Sequence, residues 1–323
     1  MNVNVSGSAV PFAMQEAWGI GNELAGRGYS ERAVATAIKA TQMLYSARGF
    51  LSSGTIPLNE MYFWFIHLDP YADPADDLHR IDEPVLLVLG GADGTTPSAE
   101  TFKVTRDIIG AGGHPDSQVV VFPGAGHVTQ TETGELSPGL ADTLVTWVNS
   151  PSIRVGDPIT SERVDGFSDE LVWHGTGEQV RPWHVSAGLH LPILALLVVA
   201  SVAGLVIGVM LAFNRRTPAF AHLVLTGASV VNLLSLMGLI VTLGYLLVAD
   251  ADGLGPEIPF AAPVSVLAIT SALLSVGMVF SWARLIQSGN QRRGVLVFYG
   301  VVAAAAIAQI GMNAYWNILG PAL

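Results

Sequence analysis

Two side chains in the first half of this 323-residue chain are of types that could do chemistry together: Asp93, in GADGTTP, and His127, in PGAGH. An imidazole moves a proton near neutral pH. A carboxylate beside it selects one ring tautomer and stabilises the charged ring. Thirty-four positions separate the two, room for one helix and one strand between them. Each residue alone has a plainer reading, Asp93 as a capping residue and His127 as a solvated loop histidine. The chain has no cysteine, so thiolate nucleophiles, disulfides and zinc–thiolate sites are excluded. No cofactor is expected.

The elements that must position the pair follow from the pattern around them. Pro84–Pro97 (PVLLVLGGADGTTP) is a continuous apolar run that stops at Gly-Gly-Ala-Asp, which predicts a strand covered on both faces, as in a parallel sheet. About Ser98 to Ala111 reads as a helix, Gln118–Gln130 (QVVVFPGAGHVTQ) as a second buried strand, and about Pro138–Val148 as a final helix before Pro151. Strand, helix, strand, helix with short links is the βαβ signature, and functional groups then gather at the carboxyl ends of the strands. Upstream, residues 3–10 (VNVSGSAV) predict a short strand and turn. Phe12–Ala25 and Glu31–Ala47 predict two helices, with Gly28 ending the first and Ser30 capping the second. Met61–Phe65 (MYFWF) is a pocket wall or, more simply, core. The two Asp-Pro pairs of Asp69–Asp77 read as loop.

Residues 1–150 resemble the C-terminal half of an α/β-hydrolase, closest to the dienelactone-hydrolase and prolyl-oligopeptidase-like branch. In that family the catalytic acid follows the penultimate strand in a G-x-x-D-x-x-x-P setting, which closes here in GADGTTP with Asp93. The catalytic histidine follows the last strand in a P-G-x-x-H setting, here PGAGH with His127. The order acid then histidine matches the family's Ser, acid, His. The resemblance implies triad roles: His127 as general base and then acid, Asp93 as the group that orients it. The departure is the nucleophile, because no G-x-S-x-G elbow occurs in the chain. The nearest strings, Ser6-Gly7-Ser8 and Ser52-Ser53-Gly54, lack the flanking glycines. The resemblance therefore implies that the elbow and the oxyanion loop belong to a portion upstream of Met1, which falls inside a strand of the family's sheet; the outside placement argued below, with no signal-peptide pattern after Met1, leads to the expectation that the same portion supplies a signal sequence.

The second half has a different composition. Before His190 there are 10 Lys/Arg against 23 Asp/Glu, a net −13; from there on there are five against three, a net +2. The acidic first half argues against nucleic-acid binding. Four apolar stretches run from about Ile193 to Phe213, Leu223 to Val248, Ala261 to Leu285 and Val295 to Leu319. Each exceeds the roughly 20 residues that span a bilayer, so residues 190–323 are expected to form an all-α, four-helix transmembrane domain in contact with lipid. Arg215, Arg216, Arg284, Arg292 and Arg293 cluster in the first and third connections, whereas the second has Asp250, Asp252 and Glu257 and no base. The positive-inside rule then expects the first half and the C-terminus outside the cytoplasm. Within the spans, Asn232, Gln309, Asn313 and the edge residue His222 could mark a transport path; packing through amides and through the Gly204/Gly208 G-x-x-x-G pair is the simpler account. Residues 151–189 read as a linker with interfacial Trp173 and Trp183. The spacing of His174, His184 and His190 matches no familiar metal pattern.

The expected fold is thus a partial α/β-hydrolase domain with a parallel-sheet remnant, joined to four membrane helices. The expected function is ester or peptide hydrolysis. Two alternatives stand beside it: a non-catalytic hydrolase-like binding or scaffold module on a membrane anchor, and a small transporter with an accessory domain.

Overall fold

The computed structural model describes residues 2–51, 71–110, 116–150, 153–169, 171, 183–213, 218–252, 258, 260–289 and 291–319. It is mostly helical, with one small mixed sheet. Two compact units emerge: residues 1–26 with 41–183, and residues 27–40 with 184–323.

The first unit is built on a four-stranded sheet in the order β1 (Asn2–Val5), β2 (Val85–Gly90), β3 (Gln118–Phe122), β4 (Asp157–Pro158). The first three strands are parallel and β4 runs antiparallel to β3. Every residue of β2 is buried, because alternate side chains enter two cores. Val85, Leu87 and Leu89 pack with Phe102 and Ile109 of the following helix, whereas Leu86 and Val88 pack with Leu140 and Trp147 on the other face. That is why β2 reads as an unbroken apolar run. Helix α1 (Phe12–Gly26) precedes α2 (Glu31–Leu51), whose later turns belong to this unit. After them come the single turn α3 (Ala75–Leu78), α4 (Ser98–Thr105), which closes in a wider turn over Arg106–Gly110, and α5 (Leu140–Asn149).

The second unit holds α6 (Ala187–Ala212), α7 (Ala219–Asp252), α8 (Ala261–Ser288) and α9 (Arg293–Tyr315), the four helices among the described residues that are long and apolar enough to cross a membrane. Chain neighbours pack on one another, and α9 also returns to α6. Polarity is inverted relative to a water-soluble bundle. Ser201, Ser229, Asn232, Ser235, Ser271, Gln309 and Asn313 are buried inside, while Leu196, Met237, Leu273, Phe280 and Val297 are each more than 60% exposed. Such an arrangement suits hydrocarbon and not water. The four helices fit a multi-pass membrane protein. The inward amides bond across helices: Ser271 Oγ donates to Asn232 Oδ1 (2.6 Å), Gln309 Nε2 to the Asn232 carbonyl (2.9 Å) and Asn313 Nδ2 to Ser235 Oγ (3.1 Å), while Gln309 Oε1 and Asn313 Oδ1 are buried without a partner among the described residues. The early turns of α2 belong here too, with Lys39 Nζ donating to the Tyr315 carbonyl at 2.8 Å and Asn317 Nδ2 to Thr36 Oγ1 at 3.1 Å. Burial in this contact lowers the Lys39 pKa from its ordinary value.

Two expectations are corrected. Residues 151–189 are not only a linker: Asp157–Pro158 pairs with β3, and Ile159 and Val164 enter the sheet core. A two-residue strand has no periodicity to read. The Asp-Pro loop contains α3, started where the Leu78 N–H reaches the Pro74 carbonyl at 3.1 Å. The short strand and turn expected upstream are present: β1 ends at Val5, where Ser6 turns to φ 49°. Met61–Phe65, Trp173 and His174 lie outside the described residues.

Candidate active site

Asp93 and His127 stand just past the carboxyl ends of two adjacent parallel strands, β2 and β3. Two backbone contacts join the loops that carry them. The Ala92 N–H donates to the Ala125 carbonyl at 2.9 Å, and the Gly91 N–H to the Phe122 carbonyl at 2.9 Å. The approach is close enough that a side chain at Gly90 would fall on the carbonyl oxygens of Ala125 and Gly126. Glycine is required there by proximity.

The Asp93 side chain is fully buried, and its oxygens are occupied as a buried carboxylate demands. Oδ1 accepts the backbone N–H groups of Thr95 and Thr96, both at 2.8 Å, in a turn that the carboxylate itself organises. Oδ2 faces His127 Nδ1 at 3.1 Å. A carboxylate only accepts, so Nδ1 carries the proton and donates. His127 is 43% exposed at its side chain, and its Nε2 makes no hydrogen bond among the described residues. The result is a half-exposed imidazole pinned on one nitrogen by a buried acid, with a basic lone pair on the other that no described group occupies. That arrangement can take up and release a proton at Nε2.

The backbone around His127 is unusual. His127–Thr129 forms a tight helical turn in which Val128 and Thr129 have φ of 56° and 53°. Left-handed geometry at two successive β-branched residues is uncommon, and such outliers concentrate at functional sites. The Thr129 carbonyl is held by Ser137, whose N–H donates at 2.9 Å and whose hydroxyl donates at 2.6 Å.

Sequence reasoning named Asp93 and His127, and the structure brings them into contact. It missed Thr96, which is fully buried and donates its N–H to Asp93 while its hydroxyl oxygen lies 3.3 Å from His127 Nδ1. The signal was available in part, since Thr96 stands inside the quoted GADGTTP string. Ser6 makes no hydrogen bond to the basic nitrogen: its carbonyl accepts from Thr96, and its buried hydroxyl has no partner among the described residues. A cavity of about 60 Å³ beside Asp93, bordered by Trp18, Pro97 and Phe167, has room for about two waters at liquid density. Among the described residues no group of three or more potential metal ligands forms. No family model, no curated protein and no solved structure matches the chain.

Proposed function

We propose that the chain carries the acid–base pair of a membrane-anchored serine hydrolase of the α/β-hydrolase type, acting on ester or peptide substrates outside the cytoplasm. One observation supports this reading above the others: the 3.1 Å contact between buried Asp93 and His127 at the carboxyl ends of neighbouring parallel strands, with Nε2 left free. In the proposed reaction His127 Nε2 takes the proton of a serine hydroxyl as it attacks the substrate carbonyl. His127 then returns that proton to the leaving group, and Asp93 holds the ring and balances its transient charge. The serine is not among the described groups bonded to Nε2. The arginines between the first two and last two spans orient the reading, with the sheet-bearing unit and the C-terminus outside.

The test is a fluorophosphonate probe, which labels an activated serine, applied to membranes of cells that make the protein as its gene encodes it. Labelling is expected, abolished by His127→Ala and slowed by Asp93→Asn on the order of 10²–10⁴-fold. A properly inserted wild-type protein that neither labels nor hydrolyses ester or peptide substrates would rule out the enzyme. The second reading, a hydrolase-like binding module on a membrane anchor, rests on the free Nε2 and would then take its place.

A further inference from the structure

We propose that Thr96 is a positioning residue that, together with Asp93, fixes the tautomer of His127; this rests on the reading of His127 as a base.

The assignment follows from counting hydrogens. A threonine hydroxyl has one proton and two lone pairs. Thr96 Oγ1 lies 3.2 Å from the Ser6 carbonyl oxygen and 3.3 Å from His127 Nδ1. A carbonyl can only accept, so the hydroxyl proton goes to Ser6 and a lone pair is left facing the ring. A lone pair opposite a bare Nδ1 would be repulsive, whereas opposite Nδ1–H it is a second acceptor beside Asp93 Oδ2. Thr96 therefore disfavours the tautomer with the proton on Nε2, and that is the tautomer that could not act as a base toward a substrate. The Thr96 N–H acts on the other partner, donating to Asp93 Oδ1 at 2.8 Å. One fully buried residue thus touches both members of the pair. Among the described residues Asp93 is the titratable group bonded to His127.

The strain at Ser6 has a purpose in this arrangement. Its N–H continues the sheet by donating to the Val88 carbonyl at 2.9 Å, and φ of 49° then turns its own carbonyl out of the sheet. The turn is supported by Gly7, whose N–H donates to Asn4 Oδ1 at 2.9 Å. An extended Ser6 would continue β1 and aim its carbonyl at β2, in the plane of the sheet. The Thr96 hydroxyl would lose the acceptor that aims it and would be free to point its proton at Nδ1. The end of β1 therefore sets the polarity of a hydroxyl that in turn sets the polarity of the imidazole.

The experiment uses the full chain in lipid nanodiscs, labelled with ¹⁵N-histidine. The His127 signals are identified among the eight histidines by their loss in His127→Ala. Long-range ¹H–¹⁵N spectra report which nitrogen carries the proton. The wild type is expected to show Nδ1–H, and Thr96→Val to lower the ratio of Nδ1–H to Nε2–H about 3- to 10-fold, the size of one net hydrogen bond. Thr96→Ser, which keeps the hydroxyl, is expected to restore the wild-type ratio. Predominant Nε2–H in the wild type would overturn the proposal whether or not the valine variant folds. So would an unchanged ratio in Thr96→Val, or a shift that serine does not reverse. The spectra do not depend on turnover, so a missing fluorophosphonate label with the expected tautomers would remove the hydrolase reading and leave the role of Thr96 standing.

Discussion

Val128 and Thr129 hold the left-handed region just after His127, and a non-glycine residue there costs about 1–2 kcal/mol. The conformation persists because Ser137 binds the Thr129 carbonyl twice and the Gly126 N–H reaches the Gln130 carbonyl at 2.7 Å. Val128 is 43% exposed, so little burial is lost if it is replaced. Val128→Gly is therefore expected to raise the stability of the sheet-bearing unit by about 0.5–1 kcal/mol, strain relief less the glycine entropy. Ser137→Ala is expected to lower it by about 1 kcal/mol or more. Both are read from thermal unfolding of the purified protein, and a destabilised Val128→Gly would show that the strain is not at that residue. Asp93 and His127 were legible in the sequence because each ends an apolar run at a glycine-rich turn. Thr96 and Ser137 were not, since a hydroxyl reveals its partner only when distant backbone is folded against it.

Elements were readable in proportion to the length of their pattern. The strands around Val85–Leu89 and Val119–Val121 and the four membrane helices carry runs of apolar residues that admit few alternatives. Residues 27–40, which join the bundle, offered no such signal: Ala33, Val34 and Ala37 are small apolar residues that suit either unit. The Gly204/Gly208 pair was legible as a packing motif, and its partner is now specific. A side chain at Gly204 would meet Ser229 Oγ and Val302, and one at Gly208 would meet the backbone and hydroxyl of Thr226. The α6–α7 contact thus depends on two absent side chains. Gly208→Val is expected to cost about 1–3 kcal/mol through overpacking, whereas Gly244→Val, with open space around it, is expected to be nearly neutral. Unfolding of the bundle by increasing SDS in mixed micelles compares them, and equal midpoints would disprove close packing at Gly208.

For the whole molecule, orientation is the property with the sharpest test. The proposed orientation, argued from the arginine distribution, has the connection after α7 outside and the one after α8 in the cytoplasm. Since the chain has no cysteine, single cysteines at Gly253 and Asn290 can be probed on intact cells with an impermeant thiol reagent. Modification at 253 alone is expected, and modification at 290 alone would invert the topology. The order of synthesis adds a further consequence, through the sheet. In β1, Asn2 pairs with Val85 of β2, so more than eighty residues must be translated before the strand meets its neighbour. At roughly 5–20 residues per second that is a wait of about 4–17 s. Helices α7, α8 and α9 each pack on the helix made just before them, although α9 also closes on α6 and residues 315–317 close on the early turns of α2. During that interval the β2-facing edge of β1 is unpaired in a nascent chain, open to wrong partners. Shielding that edge until β2 emerges is therefore a task for a chaperone, one that the stepwise packing of α7 on α6 does not pose.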